Sequence, residues 1–124
     1  MRRAVIVFVG GGIGSCLRAV VLAWLSSWST WLPVLLVNLV GSFVIGMVFA
    51  LADEAGLLRA ETRLFVAVGV LGGFTTFSTY ALEGLLLYNE GSLRLAVVSF
   101  LGPVVAGLLA AAAGAGVARL GYGG

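Results

Sequence analysis

Histidine and lysine are absent from this sequence, and cysteine occurs once, at Cys16. One thiol excludes an intramolecular disulfide and a thiol-based metal site. Without histidine, zinc centres and imidazole proton relays lack their usual ligands. Charge is also scarce. The five acids are Asp53, Glu54, Glu61, Glu83 and Glu90, and the seven basic residues are all Arg. Together they make 10% of the 124 residues, where a soluble domain carries about a quarter. No basic stripe is present, so nucleic acid is not an expected partner. No nucleophile–base pair is present either, so an enzyme is not expected.

What is present is apolar. Hydrophobic residues make 61% of the chain. A fold this small keeps a large surface fraction, so they cannot all be hidden from solvent. Lipid is the natural solvent for the rest. Four apolar stretches emerge, at about 4–25, 32–52, 64–88 and 93–118, each near the span length of about 20 residues. Arg2 and Arg3 before the first stretch imitate a signal peptide. The run is longer than an ordinary signal core and is read as a retained helix. The whole chain, 1–124, is therefore expected to be one all-α membrane domain of four transmembrane helices. Pro33 suits the first turn of the second helix, where its missing N–H costs nothing. Trp24, Trp28 and Trp31 cluster between the first two spans, as in an interfacial aromatic belt.

Short loops make successive spans antiparallel and put both termini on one side. That side carries Arg2, Arg3, Arg59, Arg63 and Arg119. The other carries Arg94, joined by Arg18 if it reaches the interface. This bias alone places the termini in the cytoplasm. The 19 glycines and the alanine run 110–113 predict close helix approach and an oligomer, most simply a two-fold dimer.

Polar residues at membrane depth each need an explanation. In the first span, Gly10-Gly11-Gly12-Ile13-Gly14-Ser15 resembles a dinucleotide fingerprint but has no βαβ context. It reads as a close-packing surface. Arg18 either snorkels to the interface or attracts an anion. In the second span, Asn38 and Ser42 share a helical face near Gly41 and Gly46. Asn38 is either an interhelical clasp or a neutral donor facing a pore.

The third span reads Gly69-Val70-Leu71-Gly72-Gly73-Phe74-Thr75-Thr76-Phe77-Ser78-Thr79-Tyr80, then Glu83. Two glycines followed by four hydroxyl side chains predict a helix broken in mid-membrane. Such a break is tolerated only where protein or a cavity satisfies it. Freed carbonyls suit Na⁺. Freed N–H groups and the hydroxyls of Thr75, Thr76, Ser78 and Thr79 suit an anion. The plainer alternative is a kinked helix whose hydroxyls bond back to the i−4 carbonyls. Phe77 and Tyr80 share a helical face, and their ring edges carry partial positive charge. Glu83 either snorkels outward or caps a pathway.

The chain resembles the small bacterial fluoride channels, the Fluc or CrcB family. The matching elements are Gly11-Gly12-x-Gly14-x3-Arg18, Val37-Asn38-x2-Gly41-Ser42-Phe43-x2-Gly46, and the third-span run from Gly69 to Tyr80. The resemblance implies an antiparallel, dual-topology dimer in the cell (inner) membrane, passively exporting fluoride to relieve its toxicity. It implies a structural Na⁺ on the dimer axis, held by the backbone carbonyls of Gly72 and Thr75. It places Asn38, Phe77, Tyr80, Ser78, Thr79, Glu83 and Arg18 along the ion pathway. Tyr80 stands where the family has Phe. On the fourth span, Ser99 and Pro103 stand where the family places a Tyr and a Ser or Thr, so no ligand role falls to Pro103. The arginine bias is large for a chain inserting both ways, which leaves a homodimer or a heterodimer with a paralogue. A proton-coupled small multidrug-type transporter is the rival class, but it needs an embedded first-span acid that is absent here.

Overall fold

Backbone groups that leave water must bond one another, and within a single segment only a helix achieves this. The computed structural model, which describes residues 1–26 and 31–123, does so four times. Helices long and apolar enough to cross a membrane span Arg2–Leu25, Leu32–Glu54, Ala60–Asn89 and Leu93–Tyr122. The first is α1 (Arg2–Leu25). The second is α2 (Leu32–Phe49), which widens into a π-helical turn over Ala50–Glu54. The third comprises α3 (Ala60–Arg63), a π-helical stretch Leu64–Leu71, α4 (Gly72–Phe74) and α5 (Ser78–Asn89). The fourth is α6 (Leu93–Tyr122), with Pro103 inside it. Pro33 occupies the first turn of α2. Helical structure persists to Glu54 and resumes at Ala60, so the connection between the second and third spans is shorter than the interval 53–63 left between the expected spans. Trp24 and Trp31 are exposed at facing helix ends, and Trp28 lies outside the described residues.

Small residues decide the packing. α1 lies against Leu64–Leu71 and α4, while α2 and α5 lie against α6. At Gly10, an added methyl would come within 2.8 Å of the Phe65 carbonyl oxygen. At Gly14 it would strike the Val70 carbonyl, and at Gly73 the Gly11 carbonyl. Between α2 and α6, Gly46 meets Ala111 and Gly114 meets Phe43 in the same way. Backbones this close gain dispersion contacts that larger side chains would forbid. The core is accordingly slight. Ala50, Ala115 and Ala118 form its centre with Met47, Leu51 and Tyr122 against them, and Val37 is the only large side chain fully buried among the described residues. Outward faces are apolar, with Phe8, Leu108, Leu109 and Leu120 all strongly exposed.

The ends of the bundle sort by charge. Arg2 pairs with Glu61 at 2.9 Å, Arg63 with Asp53 at 3.1 Å, and Arg119 with Glu54 at 2.6 Å. The Tyr122 hydroxyl also donates to Glu54, at 2.9 Å. These contacts join the N-terminus, the central loop and the C-terminal helix at one end. Arg94 and Glu90 stand at the other end, in and beside the turn that opens α6.

Candidate functional site

Residues 75–77 fall between α4 and α5. Thr75 is extended, at φ −83° and ψ 159°, and Phe77 returns to helical angles before Ser78 opens α5. Locally, the Thr75 hydroxyl donates back to the Leu71 carbonyl at 2.8 Å. That is the i−4 bond of the kinked-helix alternative, here made at the last residue before the chain departs. In an α-helix the Thr76 N–H would donate to the Gly72 carbonyl. It donates instead to Asn38 Oδ1, at 2.9 Å. Asn38 Nδ2 in turn donates to the Thr76 carbonyl at 3.2 Å and to Val34 in its own helix at 2.8 Å. One amide thus satisfies both backbone groups of Thr76. Gly41, one turn along α2, leaves room for the Thr75 methyl.

α1 supplies the other holds. Arg18 Nη1 donates to the Thr75 carbonyl at 3.0 Å, and Ser15 Oγ reaches the Gly73 carbonyl at 3.5 Å. Across the interruption, the Thr76 hydroxyl lies 3.3 Å from that of Ser78 and 3.1 Å from that of Thr79. Three hydroxyls are therefore joined in one short chain at the start of α5.

A groove of about 450 Å³ opens beside this segment. Gly72, Thr75, Asn38, Thr76, Phe77 and Tyr80 line it, faced by Pro103 and Gly107 of α6. The Tyr80 hydroxyl is buried and has no hydrogen-bond partner among the described residues. Phe77 is 67% exposed and meets Phe100 edge to face, with ring centroids 5.6 Å apart. Of the residues read from the sequence, Asn38, Phe77, Tyr80, Gly72 and Thr75 come together on this groove. Arg18, Ser78, Thr79 and Glu83 do not line it. Arg18 and Thr79 are half-buried and bond to the lining residues Thr75 and Thr76, Ser78 is exposed, and Glu83 is half-buried on α5 without an ion pair among the described residues. Ser99 is half-buried on α6. Pro103, with no N–H to offer, leaves the Ser99 carbonyl without its helical donor.

Two residues escaped the reading of the sequence. Phe100 sits one position beyond Ser99 and is the only aromatic between Tyr88 and Tyr122. That isolation was its signal. Ser15 was legible only as part of the glycine run.

The donor set can be tested against the alkali cation that the resemblance implies. Among the described residues no group of three His, Cys, Asp or Glu side chains gathers, so backbone oxygens are the ligands to consider. The Gly72 carbonyl has lost Thr76 as its helical donor, and Gly72 is exposed on the chain's surface. It fits a hard cation approached from outside. The Thr75 carbonyl already accepts from the Arg18 guanidinium, so only its second lone pair is free for sharing.

Comparison with known proteins finds relatives over most of the chain's length. A family model described as CrcB-like protein, Camphor Resistance (CrcB), matches residues 5–115. A fluoride-specific ion channel FluC from one strain of Thermus thermophilus is 43% identical over 118 residues, covering 90% of this chain and 89% of the relative. A protein of the same name from Methylobacillus flagellatus is 37% identical over 113 residues, covering 88% of each. A third, from Parabacteroides distasonis, is 37% identical over 113 residues, covering 89% of this chain and 88% of the relative.

Proposed function

The chain belongs to the CrcB family, and on that premise we propose that it is a passive, fluoride-selective channel that exports fluoride across the cell's inner membrane. The observation that carries the reading is the buried, unpartnered hydroxyl of Tyr80 in the groove beside the third-span break. A buried hydroxyl without a partner is costly, and an anion in the groove relieves that cost by accepting from it.

Fluoride is small and strongly hydrated, so a pathway must replace its water with several short donors. Tyr80 offers one. The Thr76 hydroxyl, on the groove wall, offers another because it can turn its hydrogen toward the ion, and Ser78 and Thr79, linked to it but off the groove, continue the row of hydroxyls along α5. The edges of Phe77 and Tyr80 add weak positive potential. Asn38 holds Thr76 from α2 and so fixes where this donor row begins. Arg18 bonds to the groove wall at Thr75, and its charge favours an anion there. Glu83 stands one turn beyond Thr79 on α5, toward the end of the pathway. Donors spaced for fluoride fit larger halides poorly.

The working unit in this reading is an antiparallel, dual-topology dimer. Support comes from the outward faces: the groove is open on one side and Phe77 is exposed there. A second copy, inverted, closes the groove and presents its own. Gly72 and Thr75 of both copies then hold the structural Na⁺ on the axis, where it neutralises carbonyl dipoles brought together by the break. The one-sided arginines leave a heterodimer with a paralogue as the competing assembly.

Fluoride efflux from proteoliposomes, followed with a fluoride electrode and with chloride as control, tests the function. Expected is rapid fluoride release with chloride retained. Absence of fluoride release from folded protein overturns the reading. Crosslinking of inverted pairs made from this chain alone decides between homodimer and heterodimer.

A further inference from the structure

A second groove lies at the charged end of the bundle, away from the break. It has a volume of about 610 Å³, within the range of small-molecule sites. Its mouth carries Arg2, Arg3, Arg63 and Glu61, and its floor is made by Ile6, Leu64, Ala67 and Val68. The charges do not cancel. Arg2 pairs with Glu61, and Arg63 pairs with Asp53. Arg3 has no ion pair among the described residues. A cationic mouth over an apolar floor, where two spans enter the membrane, matches one chemistry in that environment. It needs an anionic group at the interface joined to a hydrocarbon tail running along the helices.

We propose that this groove binds one anionic phospholipid, its phosphate on Arg3 beside Arg2 and Arg63, and an acyl chain laid along Ile6, Leu64, Ala67 and Val68. A free anion makes no use of the floor, and a zwitterionic lipid makes little use of the excess positive charge. Basic pockets between membrane helices hold anionic headgroups in this manner. The site is independent of fluoride transport and stands or falls without it.

Native mass spectrometry of the detergent-purified protein, after addition of phosphatidylglycerol or phosphatidylcholine at equal concentration, tests the proposal. Expected is one retained phosphatidylglycerol per chain and little phosphatidylcholine. Arg3→Gln lowers the phosphatidylglycerol-bound fraction about fivefold, the worth of one interfacial arginine. Val68→Trp fills the floor and lowers it as well. Val68 is 55% exposed, so the larger ring does not disturb the core. Arg94→Gln, at the opposite end, leaves retention unchanged. Equal retention of the two lipids overturns the proposal, as does retention unaffected by both Arg3→Gln and Val68→Trp. Displacement by glycerol phosphate alone overturns the acyl half of it.

Discussion

α1 sends two arginines to the third span, and they do different work. Arg2 reaches Glu61 at the wet end of the bundle, with side chains 80% and 53% exposed. Arg18 reaches a neutral carbonyl, that of Thr75, in a half-buried setting. By formal charge the first contact is the stronger, since it joins two ions. Water reverses the ranking. An exposed ion pair exchanges solvation for a screened attraction of about 0–1 kcal/mol. A charge-assisted hydrogen bond away from water keeps more of its strength, and its carbonyl has few other donors to turn to. Of these two contacts, the one that joins fewer charges holds the structure better.

Four substitutions sharpen or break that contrast, in falling order of effect. Asn38→Asp is the largest. The carboxylate can still accept from the Thr76 N–H but opposes the Thr76 carbonyl and adds negative charge beside the proposed path. Fluoride efflux from liposomes should fall by roughly a hundredfold or more, about 3 kcal/mol, the scale of one buried group left unsatisfied. Efflux at the wild-type rate would remove Asn38 from the site. Arg18→Gln comes next. Loss of the charge-assisted bond to Thr75 should lower stability by about 1.5–3 kcal/mol, read as a drop in melting temperature in detergent. Tyr80→Phe removes only the orphan hydroxyl. It should slow fluoride efflux roughly threefold, the worth of one ordinary hydrogen bond, and raise the melting temperature slightly in the absence of fluoride, because an unpartnered buried hydroxyl is removed. An accelerated efflux would mean that the hydroxyl obstructs the path. Arg2→Gln should shift stability by less than about 0.5 kcal/mol. If Arg2→Gln costs as much as Arg18→Gln, the contrast between the two regions fails.

The steric rule can be probed alongside. Gly14→Val places a branched side chain against the Val70 carbonyl. Backbone cannot give way as a side chain can, so a loss of about 3 kcal/mol is expected. Early, polydisperse elution in gel filtration would report it.

Much of this architecture was legible because lipid restricts the choices. A long apolar run without charge admits few structures but a helix, so the four spans and their antiparallel order follow from composition and loop length. The glycines of the first span were legible as a packing surface, though not their partners. That Gly10 meets Phe65 and Gly14 meets Val70 depends on rotation of two helices about their axes, which local pattern does not encode. The π-helical stretch Leu64–Leu71 was not legible, since its side chains are those of any apolar helix. At the site, the residues 72–80 stood out as polar at depth. What they bond to did not. Asn38 was open between clasp and donor, and in this chain its amide is taken up by Val34 and Thr76. Arg18 was open between snorkelling and anion attraction, and a backbone carbonyl is a third destination that spacing alone could not single out.

The third span also changes partners as it crosses residues 75–77, leaving α1 for α6. The order in which helices leave the ribosome therefore differs from the order in which they can pack. During synthesis α1 and α2 emerge first, yet they pack only lightly on each other. The main partner of α1 arrives with residues 64–74, and that of α2 only with α6, the last helix translated. Neither early helix can settle on emergence. Insertion and assembly are thus separated in time, and a ribosome that stalls before residue 93 leaves the glycine face of α2 open to any neighbouring helix in the bilayer.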